Sequence, residues 1–237
     1  MRPIHRVRGL LMLLGAVVTM GHAQTVDVRA QVELVHPGGR KAAVAEPAQD
    51  VVVWLTPAGP EAPVPAITPE HYRMAQKDKS FHPHLLVIPL GSTVAFPNLD
   101  PFFHNVFSQF NGKRFDLGLY EAGSTRDVHF DHEGISYIFC NIHPEMSAVI
   151  ITLATPYYTV ASLSGAVTLH DVPTGIYELH VWAEGADARE LEALGRRVRV
   201  SADQDDLGMI RVATRETTAA HKNKFGDDYR PDPSTAY

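Results

Sequence analysis

Cysteine is almost absent from this chain: Cys140 is the only one in 237 residues. An internal disulfide is therefore excluded. A lone thiol in an oxidising compartment is a hazard unless it is buried, reactive by design, or ligated. Basic residues are also in deficit, with 21 Lys and Arg against 27 Asp and Glu, a net charge of −6 with His neutral. Phosphate contacts need clustered Lys and Arg, so nucleic-acid binding is not expected. No apolar run after residue 20 approaches the roughly 20 residues that span a bilayer. Tandem repeats and low-complexity tracts are missing. So are G-x-S-x-G, H-E-x-x-H and any phosphate-cradling Gly-rich loop, which leaves hydrolase or nucleotide chemistry without support.

The chain is rich instead in turn formers and short apolar runs. Gly and Pro number 17 each, and 45% of residues are hydrophobic. Such punctuation favours strands and turns over long helices. The first residues form a separate signal. Arg2, His5, Arg6 and Arg8 make a basic start, residues 9–20 are apolar, and Gly21-His22-Ala23 offers small residues before a cut after Ala23. This pattern is that of a cleaved signal peptide over residues 1–23, with export to the periplasm. Losing Arg2, Arg6 and Arg8 from the 21 basic residues leaves 18 against 27 acids, a mature charge of −9.

Residues 26–35 alternate apolar and polar, the period of a half-buried strand. A β-branched run at residues 50–55 ends at Thr56-Pro57 and predicts a second strand, and the proline-rich stretch 57–69 predicts a loop. Short strands follow at 85–90, 93–96, 105–107, 127–130, 135–140 and 146–153, with 74–80 as a strand edge or turn. Beyond Pro156, strands are expected at 159–161, 166–170, 177–182, 196–200 and 209–213, with one or two helical turns at 188–194. The fold class is therefore all-β, a sandwich or barrel. Residues from 217 onward read as a flexible tail.

Cys140-Asn141-Ile142-His143-Pro144-Glu145-Met146 places a thiolate, an imidazole and a thioether at C-x2-H-x2-M spacing just after a strand. Upstream, Phe103-His104-Asn105-Val106 places a second imidazole just before a short strand. Two His nitrogens and one Cys sulfur near a plane, with a weak axial Met sulfur, make a type 1 (blue) copper site. Taken singly, each residue reads as ordinary core or surface. Together the four types point to one copper ion held by His104, Cys140, His143 and Met146. Structural zinc is the main competitor, but it takes more Cys or His and no Met. His82 and His84 share one side of an extended segment. With no third ligand nearby in sequence, they read as solvent histidines before they read as a second metal site.

At these residues the chain resembles the cupredoxins. The C-x2-H-x2-M loop is similar to that of amicyanin, and H-N-V to that of plastocyanin and pseudoazurin. The phrases V-x-F-x-N-x-D, H-N-V-F-S and F-C-N-I-H-P-E-M resemble bacterial proteins labelled methylamine-utilization or plastocyanin-like. The resemblance covers roughly residues 76–153. It implies a Greek-key cupredoxin domain over about 70–154, with His104 and His143 as equatorial nitrogens, Cys140 as thiolate and Met146 as axial thioether. It also implies that Asn105 steadies the loop carrying the Cys. Departures are the short opening strands and an additional C-terminal module.

That module carries D-V-P-x-G-x-Y-x-L-x-V-W, which resembles the carboxypeptidase regulatory-like, transthyretin-like β-sandwich. Two layouts stay open: a discontinuous sandwich from 25–56 and 155–213 with the copper domain inserted, or two consecutive domains. The first functional expectation is a periplasmic one-electron carrier, not an enzyme, with an unidentified periplasmic redox protein as partner. The alternatives are a copper-storage, delivery or tolerance protein, and a structural adaptor with a vestigial loop.

Overall fold

The computed structural model describes residues 24–35, 50–59, 62, 66–109, 112–215 and 221–229. The expected signal peptide, residues 1–23, lies outside the described residues. The described chain is all-β with one short helix. Its strands are β1 (Thr25–Val35), β2 (Val51–Pro57), β3 (His71–Arg73), β4 (Ala75–Lys77), β5 (Ser80–His82), β6 (Leu85–Pro89), β7 (Thr93–Pro97), β8 (His104–Ser108) and β9 (Phe115–Tyr120). They continue as β10 (Thr125–His129), β11 (Gly134–Phe139), β12 (Ser147–Leu153), β13 (Tyr158–Val160), β14 (Ala166–Pro173) and β15 (Gly175–Ala183). Helix α1 (Ala188–Leu194) precedes β16 (Arg196–Val200) and β17 (Asp206–Ala213).

These strands form successive sheets with an apolar core at each contact. One sheet runs β14-β1-β17 and a second β13-β2-β15-β16. Between them lie Val28, Val32, Val53, Leu55, Leu169, Leu179 and Ile210. A five-stranded sheet, β6-β12-β11-β8-β9, and a three-stranded one, β10-β7-β3, enclose Phe96, Val106, Phe130, Ile138 and Ile150. A third core, with Val52, Val87, Val149, Ile151, Leu153 and Trp182, joins the two pairs of sheets.

Strand periodicity explains the joint. Side chains alternate faces along a strand. Val51, Val53 and Leu55 of β2 therefore enter the first core, while Val52 enters the third. In β12, Ala148 and Ile150 face the second core and Val149, Ile151 and Leu153 the third. Both strands are covered on both faces, which is why each reads as a continuous apolar run rather than an alternating one. β1 and β2 share their sheets with strands after residue 157, as their registers with β14, β17 and β15 show.

Two turns carry most of the local constraint. At Ser164-Gly165 the chain passes so close to β1 that a Cβ on Gly165 would lie 2.1 Å from the Val32 carbonyl oxygen. Only glycine fits there, and its φ of +80° is one that glycine adopts freely. Strands β4 and β5 form a hairpin around Asp78 and Lys79, both left-handed with φ of 54° and 53°. Left-handed pairs suit two-residue hairpin turns, but a lysine there costs about 1–2 kcal/mol. The residue that offsets this cost belongs to the site.

Candidate metal centre

The site forms at one end of the five-stranded sheet. β8 and β11 are antiparallel neighbours, with Phe107 opposite Phe139. The start of β8 and the end of β11 therefore meet, bringing His104 beside Cys140. The loop between β11 and β12 closes on itself: the Cys140 N–H donates to the Met146 carbonyl at 3.2 Å, and the Met146 N–H to that of His143 at 3.1 Å. This turn carries His143 back over the sulfur. Cys140 Sγ stands 3.7 Å from His104 Nδ1 and 3.6 Å from His143 Nδ1. The three donor atoms lie within 4.8 Å of one another. Bonds of about 2.0 Å to nitrogen and 2.3 Å to sulfur, meeting at about 110–120°, would span about 3.5–3.7 Å. The observed separations fit a shared ion.

The tautomer of His104 fits as well. Its Nε2 lies 2.8 Å from Asp100 Oδ2, with His104 fully buried and Asp100 nearly so. Burial pushes the imidazole below its ordinary pKa, and the hydrogen bond and charge of Asp100 offset this only in part. The ring is thus neutral. It donates Nε2–H to the carboxylate, and the contact is a hydrogen bond rather than an ion pair. Nδ1 is left as a lone pair facing the sulfur. Asp100 itself is held ionised: desolvation raises its pKa, but hydrogen bonds from His104 and from the backbone N–H groups of Lys79 and Asp78 outweigh it. Those two backbone bonds, at 2.7 and 3.0 Å, come from the left-handed turn. One carboxylate thus holds the strained hairpin and orients the first imidazole.

Burial raises the Cys140 thiol pKa, against backbone N–H groups of Asn105, Ile142 and His143 that favour the thiolate. A neutral thiol is the metal-free state, and a cation at the two Nδ1 atoms would favour its ionisation. Burial also lowers His143, with the neighbouring His104 adding to the effect. Phe102 packs against both imidazoles, its ring centroid 5.2 Å from His104 and 5.7 Å from His143. Met146 is buried in the same apolar cluster as Cys140. His104, Cys140 and Met146 are all inaccessible, and His143 alone of the four reaches partial exposure.

Asp100, the last residue of V-x-F-x-N-x-D, was given no role by the sequence. The resemblance implied that Asn105 steadies the loop carrying the Cys. Its amide donates to Asp116 Oδ1 at 2.7 Å, and its backbone N–H is the group aimed at the sulfur. Residues 221–229, read as part of a flexible tail, lie across the ligand loop. The Tyr229 hydroxyl donates to the Cys140 carbonyl at 2.7 Å, and the Lys224 N–H to Asn141 Oδ1 at 2.8 Å. The His221 ring packs against Phe139 in a tilted arrangement, 4.3 Å between centroids. Among the described residues, His84 groups with Asp50 and Glu184.

No family model matches the chain, and no curated protein sequence does. Solved structures to which it is similar include a cupredoxin, a copper-containing nitrite reductase and amicyanin mutants. A purple cupredoxin from Nitrosopumilus maritimus is 25% identical over 34% of this chain and 98% of its own, with a TM-score of 0.31. A copper-containing nitrite reductase from Thermus scotoductus is 25% identical over 41% of this chain and 25% of its own, at 0.34. A Cu(I) amicyanin mutant is 15% identical over 34% of this chain and 80% of its own, at 0.33. Among the described residues no helix is long and apolar enough to cross a membrane.

Proposed function

We propose that the chain is a periplasmic type 1 copper protein that transfers single electrons and is not itself an enzyme. The observation that carries this reading is the convergence of His104 Nδ1, Cys140 Sγ and His143 Nδ1, with the His104 tautomer fixed by Asp100. Copper bound there supplies reversible one-electron chemistry, which suits a set of one thiolate, two imidazoles and a weak thioether from Met146.

The chain's own residues do the rest. Asp100 and the β8–β11 register hold His104 and Cys140 in place in either oxidation state. Phe102 and the buried second core exclude water from the thiolate. His143, the one partly exposed donor, gives an electron its way out. Around it Phe103 and Ile142 are exposed by 56% and 41%. Such exposed apolar residues suit brief contact with a periplasmic redox protein, the partner we propose. In this reading residues 70–154 form the copper domain, and 25–56 with 155–213 form a carboxypeptidase regulatory-like sandwich that supports it.

The alternative reading, copper storage or delivery, uses the same donors to hold Cu(I) and predicts no fast electron exchange. Visible absorption and EPR of the Cu(II)-loaded protein test the proposal. Intense thiolate-to-copper charge transfer is expected. A colourless protein that still binds Cu(I) tightly would refute electron transfer and support copper handling.

A further inference from the structure

A second set of donors meets at the crevice between the two pairs of sheets, a space of about 710 Å³. Asp50 stands at the entry of β2, His84 just before β6, and Glu184 just after β15. Their donor atoms lie within 4.8 Å of one another, and all three residues are half-buried. His84 and Glu184 line the crevice together with His82 and Glu145.

The orientation of His84 makes this more than a salt bridge at the surface. Its Nδ1 lies 3.1 Å from the Ser147 carbonyl oxygen and its Nε2 2.8 Å from Glu184 Oε2. A carbonyl only accepts, so Nδ1 carries the hydrogen. Nε2 of the neutral ring is then a lone pair, and it faces a carboxylate, which also only accepts. At this distance a second proton on the ring sits between them, and the hydrogen bond to Glu184 raises the His84 pKa accordingly; a metal ion could take that proton's place once the two side chains part. An imidazole that donates its other N–H to a backbone carbonyl is the usual posture of a metal-binding histidine. One imidazole nitrogen and two carboxylate oxygens, with water completing the shell, suit a first-row divalent ion.

We propose that Asp50, His84 and Glu184 bind a divalent metal ion of the zinc class. The ion ties the sheet of β2 and β15 to that of β6 and β12, because Asp50 and Glu184 come from the first and His84 from the second. The His84 and Glu184 side chains are 37% and 36% exposed, so the ion enters from the crevice and the two side chains have room to part around it.

The test is isothermal titration of the full-length, copper-loaded protein with Zn²⁺, together with thermal melts. One Zn²⁺ per chain is expected, with a Tm that rises with Zn²⁺ concentration. Glu184→Gln and Asp50→Asn, both close in shape to the native residues, should each weaken Zn²⁺ binding more than about tenfold. His84→Ala should abolish it. The copper charge-transfer band should be the same in all of them. Equal Zn²⁺ affinity in wild type, Glu184→Gln and His84→Ala would overturn the proposal, as would no Zn²⁺ uptake by wild type. Should His84→Ala not fold, the two carboxylate variants carry the test. The readout is the difference between wild type and variant, so it stands even where the first site takes no copper.

Discussion

His104 and Cys140 are buried, His143 is half-buried and the set includes sulfur, whereas Asp50, His84 and Glu184 are all half-buried and mostly oxygen donors. The two clusters nevertheless hang on one segment. Met146 closes the first, and the carbonyl of its neighbour Ser147 orients the second. Burial around a soft thiolate favours copper and shields it from water. Half-buried carboxylates favour a harder, exchangeable cation. On these two proposals, the fold would keep two ions apart by donor chemistry while linking their sites through a single peptide bond. The experiments that follow separate the clusters, or show that they cannot be separated.

The largest effect is expected at Cys140. Replacing the thiolate by a hydroxyl leaves a harder and much weaker donor. Cys140→Ser should abolish the visible charge-transfer band entirely while Zn²⁺ binding at the second cluster persists. A Cys140→Ser protein as coloured as wild type would remove sulfur from the first cluster.

Trp182 comes next. It is 1% exposed in the core that joins the two pairs of sheets, two residues before Glu184. Truncating a buried Trp to Ala costs about 3–5 kcal/mol. Trp182→Ala should lower the urea midpoint by a corresponding amount. In the folded fraction it should weaken Zn²⁺ binding and leave the copper spectrum intact, because the second core that holds Cys140 is separate. Colour and Zn²⁺ affinity falling together would show that the clusters are one unit.

The same contrast explains what was legible in the sequence. Three of the four proposed copper donors fall within Cys140 to Met146, and strand boundaries on either side mark where they turn inward. The second cluster left no such trace, since His84 and Glu184 stand 100 positions apart. Only the pairing of sheets brings them together. The run Val51-Val52-Val53 announced a strand but not that Val52 and Val53 would enter different cores. β9, Phe-Asp-Leu-Gly-Leu-Tyr, carries Gly118 at φ +67° beside an irregular register with β8, a departure from regular strand alternation. Residues 221–229 show no apolar period at all. They dock through one tilted ring contact and a few hydrogen bonds, which a composition-based reading takes for a tail.

Asp100 sharpens the comparison within the first cluster. It touches no ion in the proposed site, so it is a positioning residue. Asp100→Asn replaces one accepting oxygen by an NH₂ that cannot accept from His104 Nε2–H or the Lys79 N–H. Loss of such an outer partner costs about 10–100-fold in metal affinity. Copper should bind that much more weakly, with the band shifted but present and Zn²⁺ binding unchanged. Unfolding of the copper-free protein tells positioning from mere scaffolding: its loss of stability should fall short of the loss in copper affinity. An unchanged copper affinity would leave Asp100 as a support for the Asp78-Lys79 turn alone.

The smallest effect is expected at Tyr229, the outermost contact on the ligand loop. Its hydroxyl donates to the Cys140 carbonyl, and its ring meets His221 edge-on at 5.4 Å. Burial raises its pKa, so it stays a protonated donor throughout the neutral range. Tyr229→Phe keeps the ring and removes one hydrogen bond, worth about 0.5–1.5 kcal/mol. That carbonyl belongs to the residue that supplies the thiolate, so the bond holds the loop shut without touching the metal. Copper should therefore leave to a chelator faster, by a factor of about five for a change of about 1 kcal/mol, with an unaltered spectrum and unaltered Zn²⁺ binding. Lys224→Ala, which cuts the 2.7 Å ion pair to Asp116 but leaves the Lys224 backbone bond to Asn141, should do less. If neither variant changes the release rate, residues 221–229 lie over the loop without securing it. If both change the spectrum, the strap shapes the copper geometry itself, and the first cluster extends beyond its four donors.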